Sequence, residues 1–102
     1  MNKVYSLTDT LSMMSSDDYK ERFLAEYIQV CVRLSKLKNM LERFDNNTLS
    51  FKPDCPSELL RKQANVMLEY GKILQERAKY ENIELPSSFE DYYFDTPAKK
   101  AE

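Results

Sequence analysis

From Phe23 to Phe44 the chain places apolar residues at Phe23, Tyr27, Val30, Leu34, Leu37, Leu41 and Phe44, in steps of 4-3-4-3-4-3. Each residue of an α-helix turns by about 100°, so this spacing lines the side chains up as one stripe along a single helix. Leu24, Ile28 and Cys31 widen the stripe in its N-terminal half. Ser16 can cap the start, with Asp17, Asp18 and Glu21 facing the positive end of the helix dipole. "FDNNTLS" closes the segment, because Asp45, Asn46 and Asn47 suit a C-terminal turn.

A second stripe follows. In "KPDCPSELL", Pro56 fits the first helical position, where its missing N–H is harmless, and Glu58 falls in the first turn. Leu60, Ala64, Met67, Gly71, Leu74 and Ala78 then recur in steps of 4-3-4-3-4 until Pro86 excludes further helix. Gly71 is the only glycine of the chain and sits in mid-helix, where glycine costs about 1 kcal/mol relative to alanine. Ala64, Gly71 and Ala78 are seven apart, a row of small residues that lets another helix approach closely. The alternative is a tolerated kink. An all-α fold follows: an antiparallel two-helix hairpin with arms of about 26–28 residues, roughly 40 Å each. Leu49 and Phe51 of the connector are expected to fold back onto its open end.

One partner helix cannot cover everything the second helix offers. Leu59, Val66, Ile73 and Tyr80 also recur every seven residues, beside the first seam. Two helices alone bury too little surface for comfortable stability, so this row predicts assembly of several copies into an oligomeric helical bundle. Residues 16–85 form the expected hairpin unit. Residues 1–15 make an N-terminal arm with no clean period, expected to be irregular. Residues 86–102 are a tail that combines Phe89, Tyr92, Tyr93 and Phe94 with Glu90, Asp91 and Asp95. Such a tail is expected to dock on its own bundle, the alternatives being a neighbouring subunit or a partner.

Composition narrows the function. A chain of 102 residues makes one domain at most. It has no histidine, which removes the commonest general base and every Ser-His or Cys-His pair. We expect a non-enzyme with no cofactor. Cys31 and Cys55 are too few and too far apart for a metal site or a disulfide scaffold. No apolar run is long enough to span a bilayer, and the N-terminus lacks the core of a secretory signal, so a soluble intracellular protein is expected. Residues 17–44 hold six Lys/Arg against five Asp/Glu, and the net charge is −2, which does not suggest duplex nucleic-acid binding.

Arg33, Lys36, Arg61 and Arg77 are the cations best placed to converge on an anion between subunits, with Tyr27 and Tyr70 as stacking rings. The ordinary alternative is that these charges are solvated or form i,i+4 pairs. Arg77 stands apart, because it shares the 63, 70, 77 line with Gln63 and Tyr70 along the edge between the two apolar rows.

Four segments carry a resemblance. They are the "ERF-x-AEY" start at Glu21–Tyr27, the "R-x-x-KL" centre at Arg33–Leu37, the "CP-x-x-LL-x-x-Q" entry at Cys55–Gln63 and the "Y-x-x-IL-x-x-RA" end at Tyr70–Ala78. Across about residues 19–85 the chain resembles a family of small helical-hairpin proteins of crAss-like and other phages of gut Bacteroidales. In architecture it is similar to the helical phage sponges that counter CBASS and Thoeris defence. The resemblance implies an oligomeric protein of the host-cell cytoplasm that sequesters a cyclic nucleotide immune signal without cleaving it. The alternative is a helical protein–protein interaction module binding a host or phage protein.

Overall fold

The structure is a computed structural model that describes residues 6–85. The described residues are all-helical, with no strand among them: a 3-10 turn at Leu7–Thr10, α1 at Leu11–Met14, α2 at Tyr19–Asp45 and α3 at Ser57–Glu81. The acidic-aromatic tail expected at 86–102 lies outside the described residues.

Helix α2 starts later than the Ser16 cap predicts. The Asp18 carboxylate is the cap and accepts the Lys20 N–H at 2.9 Å, while Ser16 Oγ accepts the Asp18 N–H at 3.0 Å. Two capping residues stand in series, and the one with the full negative charge takes the helix dipole. Similarly, Pro56 is the cap of α3 rather than its first residue; its ψ of 143° is extended, and its carbonyl accepts the Leu59 and Leu60 N–H groups at 3.1 and 3.3 Å.

Both long helices end on asparagine. Asn47 has φ 60° and Asn82 φ 57°. After α2, the Thr48 N–H bonds Arg43 O at 2.9 Å and the Asn47 N–H bonds Phe44 O at 3.2 Å, the paired bonds of a Schellman turn. After α3, the Ile83 N–H returns to Ala78 O at 2.9 Å. Glycine is the usual residue for this left-handed position, and here asparagine replaces it twice.

Contacts between α2 and α3 pair rising numbers on one helix with falling numbers on the other. Lys20 Nζ donates to Asn82 O at 3.4 Å, Phe23 lies under Arg77, Gln75 Nε2 donates to the Tyr27 hydroxyl at 3.0 Å, and Asp45 pairs with Arg61. The small-residue seam faces α2: Ala64, Gly71, Leu74 and Ala78 are buried, with Leu60 and Met67 half-buried. Leu34 and Leu41 fill the space over Ala64. Phe23, Tyr27, Ile28 and Cys31 pack with Leu74, Ala78 and Ile83 in the larger part of the core.

The expectation of an irregular N-terminal arm is corrected for its described part, residues 6–15. Its 3-10 turn and α1 pack on α2, where Leu7 and Met13 touch the main core. Thr10 is fully buried, donates to Leu7 O at 2.7 Å and accepts from Gln29 Nε2 at 3.0 Å. The reason lies in α2, which buries Ala25 and Val32 in addition to its α3-facing row. Pieces of four residues are too short to show a period. At the other end of the molecule Leu49 is half-buried, but Phe51, expected to fold back, stays 56 % exposed.

Candidate functional site

Helical spacing places Tyr70 and Arg77 on one side of α3, two turns or about 10 Å apart. Tyr70 donates its hydroxyl to the Glu26 carboxylate of α2. That bond first, then burial and the Glu26 charge, pushes the phenol up to about 12, with Arg77 pulling weakly the other way. The Arg77 guanidinium lies 4.8 Å from the centroid of the Phe23 ring, a cation–π distance. Its Nε donates to Glu81 at 2.9 Å, and this pair raises an already high pKa further. The result is an exposed edge that carries a tyrosine ring and, two turns further along, a guanidinium, each held by one carboxylate.

Beside that edge the second apolar row of α3 is bare. Leu59 is 55 % exposed, Val66 60 %, Ile73 54 % and Tyr80 83 %. These values separate the two faces of α3 sharply, since the seam from Leu60 to Ala78 on the other side is closed by α2.

The other expected site residues do not gather here. Tyr27 is fully buried with its hydroxyl on Gln75, so a base has no access to its ring; the expectation of a stacking surface there is corrected. Tyrosine marks both buried and exposed positions of an amphipathic stripe, and Tyr27 occupies the buried kind. Arg61 pairs with Asp45 and lines a separate groove of about 340 Å³ with Lys38, Leu41, Glu42 and Ala64. Arg33 and Lys36 are exposed on α2. Arg33 follows Glu26 by seven residues and so shares its side of the helix, and Lys36, three residues after Arg33, is set about 60° further round it.

Sequence reasoning missed Glu26, Phe23 beneath Arg77, and Asp45. Each belongs to the partner helix, and nothing within one helix reveals the register between two. Glu81 was within reach, since it stands four residues after Arg77, the spacing of a helical ion pair.

The geometry sits inside the segment that carries the relationship to known proteins. The family model of Sequestin matches residues 17–80, more than half of the chain. The chain belongs to the Sequestin family. No curated protein and no solved structure matches it. The Sequestin match spans α2, the connector and nearly all of α3, and so contains Tyr70, Arg77 and the whole of the bare row. Among the described residues of this Sequestin-family chain, no group of three or more Cys, Asp or Glu side chains is placed to hold a metal ion. None of its described helices is long and apolar enough to cross a membrane.

Proposed function

We propose that this chain is a phage-encoded, non-enzymatic protein that sequesters a cyclic nucleotide immune signal in the host cytoplasm. In this reading α2 and α3 form an antiparallel hairpin, and copies of the hairpin assemble into a homo-oligomer with ligand held between them. The name of the Sequestin family speaks of sequestering, and the resemblance to phage sponges points the same way.

One observation carries the reading: Tyr70 and Arg77 share an exposed edge next to an uncovered apolar row. A guanidinium grips phosphate oxygens in pairs, and a phenol ring offers a face to a base. Arg33, on the same side of α2, is the third residue we place at this edge. Lys36 and Arg61 would meet a ligand only through another copy. Binding exchanges one anion for another, as a phosphate takes the place of Glu81 on Arg77. Retention without cleavage accords with a chain that has no histidine to act as general base.

The test is thermal unfolding against a panel of cyclic di- and trinucleotides and cyclic ADP-ribose isomers. A ligand at a hundred times its Kd stabilises the native state by about 2.7 kcal/mol, which moves a domain of this size by about 10 °C or more. Arg77→Ala and Tyr70→Ala should remove the shift. A panel that leaves the wild-type curve unmoved sinks the reading. The same bare row favours a second one, a protein-interaction module, in which Val66→Glu abolishes capture of a partner and no nucleotide shifts the melting curve.

A further inference from the structure

The bare row of α3 has a geometry that selects its occupant. Leu59, Val66, Ile73 and Tyr80 span three heptads and are all more than half exposed. A strict seven-residue repeat drifts by about 20° per heptad on a straight helix, and a second helix wrapped with a left-handed twist keeps such a row covered along its length. The occupant is therefore a helix of similar length with a matching row. A second copy of α3 supplies one.

Charge decides the direction. One flank of the row carries Lys62, Glu69 and Glu76, all exposed. Lys62 and Glu76 make no ion pair among the described residues, in contrast to Arg61 and Arg77, which do. If two α3 helices run in opposite directions with Val66 opposite Ile73 and Leu59 opposite Tyr80, each flank meets its own copy. Lys62 then faces Glu76 of the other chain, twice per dimer. The one like-charge approach is Glu69 with its own copy near the axis. If the helices run in the same direction, this flank meets the one bearing Gln63, Tyr70 and Arg77. Lys62 then gains no acid, and Glu76 must compete with Glu81 for Arg77.

We propose that two copies pair through α3 in the antiparallel register Leu59–Tyr80, Val66–Ile73, with the two-fold axis beside Glu69 and Tyr70. This rests on the self-association in the reading above and deepens it, because the register carries a binding consequence. It brings the Tyr70 edges of the two copies together at the axis and sets Arg77 of one chain beside Gln63 of the other. The exposed edge described for one chain is then half of a symmetric cleft.

Thiol cross-linking reads the register directly. The full chain carrying Cys55→Ser is prepared as Val66→Cys and as Ile73→Cys, and each is oxidised mildly, alone and mixed. A disulfide requires Cα atoms within about 7 Å. The antiparallel register gives a covalent dimer in the mixture and little in either variant alone. Cross-linking of Val66→Cys with itself overturns the proposal in favour of parallel pairing, and a dimer by sedimentation with no cross-link in any sample overturns it in favour of another face. A chain that is monomeric by sedimentation removes both the register and the oligomer, whereas nucleotide-induced stabilisation of that monomer leaves sequestration standing. Charge reversal supplies an independent reading. Lys62→Glu and Glu76→Lys should each weaken the dimer several-fold, and the double variant should restore it; no recovery in the double variant counts against the register.

Discussion

At Gly71 two effects oppose each other, and their sizes decide which prevails. Alanine there would gain about 1 kcal/mol of helix propensity. The position is buried in the seam against α2, and an added methyl in a closed contact costs about 1–3 kcal/mol. Gly71→Ala is therefore expected to lower stability by about 1 kcal/mol in denaturant unfolding, against the usual trend for an exposed helix. A stabilised variant would mean that the helices are not in close contact at this point. Asn82 offers a second residue-level test. Its φ of 57° is a conformation that costs a side chain with a Cβ about 1–2 kcal/mol, and asparagine tolerates it better than most. Asn82→Ala should destabilise by about 1 kcal/mol and Asn82→Gly should not. Tyr70 adds a pH dependence. Its phenol titrates near 12 in the folded chain and near 10 when unfolded. The neutral hydroxyl is the form that donates to Glu26, so its stabilising effect is complete below pH 10 and fades as pH rises from 10 to 12. The stability difference between wild type and Tyr70→Phe should shrink over that window and be flat below it.

Among the elements, α2 and α3 were legible and the arm was not. Long helices repeat their pattern over many turns, so the seam of Ala64, Gly71 and Ala78 and the bare row from Leu59 to Tyr80 stand out in the sequence as separate lines. The ends were less legible. Ser16 and Asp18 are both good caps, and local sequence alone does not rank them. The described part of the arm is two short pieces whose place depends on contacts with α2, above all the bond from Gln29 to the buried Thr10. The geometry of the candidate site was half legible for a related reason. Arg77 and Tyr70 announce themselves by their position on one helix, while Glu26 and Phe23 become their neighbours only once two helices are brought into register. At this scale Asp18→Ala should cost about 1 kcal/mol through loss of the α2 cap. Thermal unfolding with Asp18→Asn as the control checks it, since asparagine caps about as well.

For the molecule as a whole, the proposed pairing through α3 predicts a stability that depends on concentration. When only associated copies cover the row, the melting temperature rises with protein concentration. Val66→Glu, at an exposed position, should leave the dilute chain folded and abolish that rise. A melting temperature independent of concentration in the wild type would show that the row stays uncovered.

The two thiols differ in a way that turns the native chain into its own ruler. Cys31 is enclosed and Cys55 is open to solvent at the entrance to α3. A bulky spin label or dye thus attaches at one point per chain without any engineering. Helices laid head to tail would hold the two labels about 40 Å apart, given a rise of 1.5 Å per residue, and helices laid side by side in the same sense would bring them almost together.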